Sequence, residues 1–139
     1  MSHLQYFNYP GVGERNVTTY GYSQTVRIGD RIEASGQGGW NPDNGSFDGL
    51  KEINAQIDQA FKNVELALKN AGGKGWEEVY RVNSYHVPIN DEASAAMTRN
   101  FLQYMPNHKP VWTAVGVTRL AEDDMRVEIE VAAHLSEAK

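Results

Sequence analysis

The stretch PVWTAVGVTRLAEDDMRVEIEVAA, residues 110–133, decides the fold, because apolar residues alternate with other residues in both of its halves. A period of two is typical of half-buried β-strands, whose successive side chains point to opposite faces of a sheet. The polar connector Thr118–Asp124 suits a solvent-exposed turn. The stretch therefore predicts two strands. We expect them to pair antiparallel, with both odd-numbered rows on the core face.

The even-numbered positions of these strands would then share the opposite face. That face would hold Trp112 from the first strand and Arg126, Glu128 and Glu130 from the second. An aromatic side chain beside carboxylates, with small residues that leave room, is one arrangement that a small-molecule site can have. The same pattern also fits a solvated face with one exposed tryptophan, and the segment alone leaves both interpretations open.

The composition is that of an ordinary globular protein. The chain has 139 residues, of which 40% are hydrophobic and 22% charged, so it is long enough to bury a core and has average residue usage. We expect a single domain over residues 1–139. The formal net charge of −5 and the lack of a basic cluster argue against nucleic-acid binding, which requires Lys and Arg to neutralise phosphates.

The cysteine and histidine content limits the chemistry. The chain has no cysteine, which excludes disulfides, thiolate metal sites and thiol nucleophiles. Its four histidines show no metal-ligand spacing, so we expect no metal and no cofactor. The N-terminus does not have the pattern of a secretory signal, and no apolar run is long enough to span a membrane. The default expectation is a soluble, cytoplasmic protein.

The first half of the chain predicts an arm, a hairpin and a long helix. Residues 1–21 are polar and aromatic and are broken by proline and glycine, which favours an irregular arm that has room for one short edge strand. Thr25–Ile28 and Arg31–Ser35 flank a short Gly-Asp turn and predict two strands. Leu50–Ala71 carries apolar residues at spacings of three and four, which predicts a helix with Asp48 as its cap.

The second half adds a strand and a helix before the strands of residues 110–133. Val79–Val87 is rich in β-branched and aromatic residues, which predicts a strand. Asn90 or Asp91 can cap a helix that runs to about Met105.

This order of elements predicts an α+β fold, a single mixed β-sheet with two helices packed on one face. The opposite face has fewer charges than a solvent-exposed surface should carry. We therefore expect a homo-oligomer, in which other copies of the chain cover this face.

An ordered set of short motifs resembles the RidA family, also called YjgF, and spans most of the chain. Gly21–Gln24 is similar to the family's Gly-Pro-Tyr-Ser-Gln segment, and residues 26–37 to its hydrophobic-Gly-Asp and Ser-Gly-Gln segments. The turn Asn41–Gly45 resembles its Asp-Pro-x-x-Gly turn. Pro110–Thr113 and Val127–Glu130 stand at its Pro-Ala-Arg-Ser/Thr and Ile-Glu-Ile-Glu positions. The order of these matches identifies the chain as a member of the family.

The resemblance implies a chorismate-mutase-like fold, assembled as a homotrimer with clefts between neighbouring subunits. In the deaminase branch of the family, such clefts hydrolyse enamine or imine intermediates to keto acids and ammonia. Glu128 matches the glutamate that positions water or moves protons, which makes it the candidate catalytic residue. Tyr22, Ser35 and Gly36 match positions that line the cleft, which makes them candidate substrate-binding residues.

One position departs from the deaminase pattern. The arginine that binds the substrate carboxylate is replaced by Trp112, whose indole has one N–H and no charge. Trp112 is then a candidate aromatic wall for a larger, flatter or less charged ligand. Thr113 and Glu130, which also fall in the matching segments, complete the candidate substrate-binding set.

Another arginine could supply the missing positive charge. The candidates are Arg81, Arg119 and Arg126. Arg126 is favoured because it shares the predicted face with Trp112 and Glu128.

Three functions remain open from the sequence. The first is a hydrolytic deaminase or related hydrolase that acts on an uncharged or aromatic imine. The second is a trimer that binds a small metabolite or a partner protein without chemistry, which the loss of the arginine favours. The third and weakest is the endoribonuclease activity attributed to some family members, because the chain is acidic and lacks a suitable histidine pair.

Overall fold

The structure, a computed structural model, describes residues 1–136, so the last three residues of the predicted domain lie outside it. The strands are β1 (Gln5–Phe7), β2 (Thr25–Ile28), β3 (Arg31–Ala34), β4 (Gln37–Gly38), β5 (Val79–His86), β6 (Val111–Gly116) and β7 (Val127–His134). The α-helices are α1 (Val12–Tyr20), α2 (Ile53–Asn70) and α3 (Asp91–Tyr104), and a short 3₁₀ helix spans Gly75–Glu78. In the described part of the chain, no helix is long and apolar enough to cross a membrane.

The strands form one mixed sheet in the order β1-β2-β3-β7-β5-β6, with the short β4 paired to β7. The pair β5 and β6 is parallel, and every other recorded pair is antiparallel. The predicted antiparallel pairing of β6 with β7 is therefore wrong, because β5 lies between them. The physical reason is the crossover through α3, which returns the chain to the same end of the sheet and makes β6 parallel to β5.

The helices α2 and α3 complete the core on one face of this sheet. The odd-numbered residues of β7 from Val127 to Ala133 are buried there, as the alternation predicted. The apolar stripe of α2 supplies the opposing surface through Ile57, Phe61 and Leu68, each 0% exposed. The α+β fold with helices packed on one face of a mixed sheet is confirmed.

The caps of the two long helices match the predictions unequally. In α3, the Asn90 side chain accepts a hydrogen bond from the backbone N–H of Ala93 at 2.8 Å, as expected for a cap. In α2, Glu52 accepts from Ala55 at 2.8 Å, so the helix begins after Glu52 and the prediction of Asp48 as its cap is wrong. Glu52 can act as the cap because its side chain reaches the free N–H groups of the first helical turn, which need an acceptor.

The N-terminal segment differs from the irregular arm that the sequence favoured. It contains β1 and the nine-residue α1. Such a short helix has little stability of its own and depends on tertiary packing. That packing is a second core, in which Val12 of α1 contacts a cluster that includes Tyr9, Trp40 and Phe47.

Candidate functional site

A cavity of about 420 Å³ lies where α1, the connection between β3 and β4, and β7 meet. It brings together four of the residues that the sequence singled out, namely Tyr22, Ser35, Gly36 and Glu128. The other lining residues are Arg15, Asn16, Tyr20, Trp40, Ala121, Glu122 and Met125.

Glu128 is the carboxylate at the base of this cavity. It lies on β7 between two buried residues and points away from the helices. Burial, and secondly the charge of Glu130, raise the pKa of Glu128 above its ordinary value. A carboxyl group with a raised pKa in a cavity is suited to general acid–base chemistry near neutral pH.

Gly36 lets this carboxylate lie directly against the backbone. A Cβ atom at position 36 would collide with the side chain of Glu128. Any residue other than glycine would therefore displace the carboxylate or the loop. The identity of Gly36 is explained by this close approach.

Tyr22 presents its hydroxyl group at the mouth of the cavity. Its oxygen accepts a hydrogen bond from Nδ2 of the buried Asn16 at 2.9 Å. Because a phenol is both donor and acceptor, the O–H is left to donate to a ligand. The ring is 38% exposed, so a ligand can reach it.

Ser35 is tied to the backbone and is not arranged as a nucleophile. Its Oγ donates to the carbonyl oxygen of Ser23 at 2.7 Å, and its N–H donates to that of Gln24 at 2.8 Å. Both bonds hold the end of β3 against the segment that carries Tyr22. The role of Ser35 in this geometry is to shape the cavity wall.

Behind the cavity wall is a buried hydrogen-bond chain that the sequence did not reveal. Trp40 Nε1 donates to the Tyr9 hydroxyl at 3.2 Å, and this hydroxyl donates to Gln37 Oε1 at 2.7 Å. Gln37 Nε2 in turn donates to Gln24 Oε1 at 2.7 Å. Burial raises the pKa of Tyr9 to about 12, so its hydroxyl stays protonated and keeps donating. This series of hydrogen bonds fixes the β3–β4 connection on which Gly36 lies.

Trp112 does not share a face with Glu128, and the prediction that it does is wrong. Trp112 pairs with the buried Val82 of β5, which places both on the helix face. Its ring packs edge-on against Phe101 of α3 at 5.0 Å between centroids, and its Nε1 donates to Ser84 Oγ at 2.9 Å. The register of β6 on β5 causes this difference, because residues paired across neighbouring strands lie on the same face of the sheet.

Two other predicted site residues lie on the open face of the sheet, outside the cavity. Thr113 on β6 is exposed and pairs with Asn83 of β5. Glu130 on β7 accepts hydrogen bonds from the Tyr85 hydroxyl at 2.6 Å and from Asn83 at 3.3 Å. Glu130 also lines a smaller hollow of about 190 Å³ that contains Arg81.

The arginines expected to replace the missing cation do not line the Glu128 cavity. Arg126 and Arg119 line a separate hollow of about 270 Å³, where Arg119 is paired with Asp123 at 2.8 Å. The cation in the Glu128 cavity is instead Arg15, on the first turn of α1. Arg15 was not among the predicted site residues, because residues 1–21 were expected to be irregular. A helix pattern recognised there could have drawn attention to it.

Within residues 1–136, no three His, Asp or Glu side chains are grouped closely enough to hold a metal ion. The cavity itself contributes the carboxylates of Glu122 and Glu128.

Comparison with known proteins places the chain in a family. The profile of the family described as Endoribonuclease L-PSP matches residues 13–135. The RutC family protein YjgH of Escherichia coli strain K12 is 34% identical over 117 residues, which cover 84% of this chain and 84% of YjgH. The chain belongs to this family, the RidA or YjgF family.

Solved structures of family members have a similar fold. The YjgF gene product of Escherichia coli has a TM-score of 0.71 and 28% identity. The match covers 81% of this chain and 87% of the Escherichia coli chain. A member of the YjgF family from Mycobacterium tuberculosis has a TM-score of 0.75 and 26% identity. The match covers 95% of this chain and 99% of the Mycobacterium tuberculosis chain.

Proposed function

We propose that the chain is a deaminase-like hydrolase that acts on an imine or enamine of a small metabolite in the Glu128 cavity. The observation that carries the proposal is Glu128 itself, a carboxyl group with a raised pKa in a cavity that also contains the Tyr22 hydroxyl. Membership of the RidA family supports the same reaction class.

The proposed reaction adds water across a C=N bond. Glu128 as carboxylate takes a proton from the water, and the oxygen bonds to the imine carbon as the nitrogen gains a proton from solvent. Glu128 then returns its proton to the nitrogen, the C–N bond breaks and ammonia leaves. The hydroxyl proton of the intermediate goes back to solvent, so the products are one carbonyl compound and one ammonia for each imine and water consumed. Tyr22 would orient the ligand by donating its O–H.

We also propose that the protein is a homotrimer whose clefts lie between subunits. Support comes from the open face of the sheet, where Val111 is 56% exposed and Val115 is 41% exposed on β6. Large exposed apolar residues on an uncovered sheet face favour burial against another copy of the chain.

Binding without turnover is the second candidate. Trp112 packs against α3 and leaves the sheet without the cationic clamp of the deaminase branch. The cavity would then bind a metabolite and release it unchanged. The endoribonuclease activity named in the family description is the weakest candidate for this chain, because its net charge of −5 opposes binding of RNA phosphates.

The test is the hydrolysis of imines generated in situ by a pyridoxal-phosphate dehydratase or an amino-acid oxidase, from small to aromatic. We expect the protein to accelerate loss of the imine and Glu128→Gln to reduce that acceleration by about 10²-fold or more. Glu77→Gln, at an exposed glutamate far from the cavity, is the matched control and should behave like the unchanged protein. A lack of acceleration with every imine would reject the enzyme and leave the binding function.

A further inference from the structure

We infer that Arg15 is the specificity-determining residue of the Glu128 cavity, where its guanidinium group binds a carboxylate of the substrate. This inference rests on the proposed function, because it places the substrate in that cavity. Arg15 is the one lysine or arginine among the described residues that line it. The other charged side chains there, Glu122 and Glu128, would repel an anion in the absence of a cation.

Neighbouring residues hold the guanidinium group in a defined orientation. Its Nε donates to Asn16 Oδ1 at 3.3 Å, and Asn16 Nδ2 donates to the Tyr22 hydroxyl at 2.9 Å. Asn16 is 4% exposed, so both ends of its amide are fixed by burial and by these bonds. Nη1 lies over Gly45, where a Cβ atom would come within 2.5 Å of it.

The terminal nitrogens of Arg15 are left to a ligand. Among residues 1–136, no carboxylate forms an ion pair with Arg15. Two parallel N–H donors match the two oxygens of a carboxylate, which a lysine cannot do. The Tyr22 O–H, linked to Arg15 through Asn16, provides a further donor at the same site.

These contacts assign a class of substrate. With a carboxylate at Arg15 and the reacting C=N carbon at Glu128, the substrate would be an imine that carries a carboxylate, since both residues line the same cavity. The positive charge would come from Arg15 on α1, whereas the sequence favoured Arg126 as its source. The substrate would therefore be anionic, in contrast to the uncharged ligand that Trp112 suggested.

The test measures binding of a product-like probe, so that it does not depend on turnover. Calorimetric titration would compare 2-oxobutanoate and phenylpyruvate with their neutral methyl esters. We expect Arg15→Gln to weaken binding of the acids at least about tenfold, since a charged hydrogen-bond partner is lost, and to leave the esters unchanged. Arg15→Lys should restore part of the affinity, because it keeps the charge but not the paired donors.

Two controls separate this effect from general changes. Arg31→Gln removes the same charge from an exposed position on β3 and should not alter binding. Gly45→Ala puts a methyl group against Arg15. Gly49→Ala is its control: the backbone φ is 74° at Gly49 and 79° at Gly45, so the two substitutions cause similar strain, but a methyl group at position 49 meets no atom within 4 Å. We expect only Gly45→Ala to weaken binding of the acids.

The outcomes distinguish this inference from the proposed function. Equal binding of acids and esters, no binding of either acid, or no effect of Arg15→Gln would overturn the role of Arg15. If the acids bind through Arg15 but no imine is hydrolysed, the carboxylate site stands and the enzyme is rejected. If imines are hydrolysed and Arg15→Gln leaves the KM of anionic imines unchanged, the enzyme stands and the carboxylate site is rejected.

Discussion

Glu128 owes its properties to three neighbours that lie far from one another in the sequence. Gly36 gives its carboxylate room, Glu130 adds a like charge, and the cavity wall removes water from one side. Burial, and secondly the charge of Glu130, raise the cost of keeping the group ionised. A residue placed for chemistry in this way subtracts from the stability of the fold.

This cost predicts how stability depends on pH. The pKa of Glu128 is raised in the folded chain, so its ionisation lowers stability as the pH rises from the ordinary value of 4.5 through the raised one. Glu128→Gln removes the cost. We expect the variant to have a higher Tm than the unchanged protein near neutral pH, and the difference to vanish below about pH 4.5.

Thermal unfolding followed by circular dichroism across this pH range measures the effect. Glu77→Gln is the control, since this side chain is exposed and should leave the pH dependence of Tm as it was. A Glu128→Gln variant that is less stable near neutral pH would contradict the prediction.

At the scale of elements, α2 holds the loop that shapes the cavity. Asn63, 1% exposed on this helix, donates through Nδ2 to the carbonyl oxygens of Gly38 and Trp40, each at 2.8 Å. Its Oδ1 accepts from Gln59 at 3.0 Å. One buried amide therefore fastens β4 and Trp40, two residues after it, to the helix layer.

Replacement of Asn63 should loosen this connection. Asn63→Leu keeps a similar volume but leaves two buried carbonyl groups without a partner, which would cost about 2–4 kcal/mol of unfolding free energy. We also expect weaker binding of keto acids, because Gly36 and Trp40, which flank β4, both line the cavity. Urea titration measures the stability change and calorimetry the affinity.

Asn70→Leu provides the matched control at the exposed end of α2 and should change the unfolding free energy by less than about 0.5 kcal/mol. If both variants have the same stability, the buried hydrogen bonds of Asn63 do not hold the connection as described.

At the scale of the whole molecule, the sheet is covered by helices on one face only. On the open face, β6 exposes two apolar residues, Val111 and Val115, with Thr113 between them. Glu130, Asn83 and Tyr85 are already joined there by hydrogen bonds within the subunit. This surface is the one that the proposed trimer would bury.

Charges placed on that surface should separate the subunits. We expect the unchanged protein to sediment with three times the mass of one chain, and the Val111→Lys, Val115→Lys double variant to sediment as a single chain, because burial of two ammonium groups is costly. Leu102→Lys, at a 55% exposed leucine on α3, is the control and should stay trimeric. Sedimentation of the unchanged protein as a single chain would contradict the trimer.

The elements themselves could be predicted because their signals are local. A period of two marked β6 and β7, and spacings of three and four marked α2 and α3, since each pattern reflects the geometry of one element. Asp48 and the N-terminal arm were mispredicted where several residues could cap a helix or where the helix was too short to leave a clear pattern. The candidate residues Tyr22, Ser35, Gly36 and Glu128 came from the resemblance to the RidA family, whose motifs are short and local in the sequence.

The tertiary structure decides which elements are neighbours. The sequence by itself determined that residues 111–116 form a strand and that Glu128 faces away from the buried row of β7. Only the fold decided that β5 separates these strands, which turned Trp112 toward α3, and that α1 brings Arg15 into the cavity. Pairing and docking depend on contacts between distant segments, and no local pattern of residues encodes them.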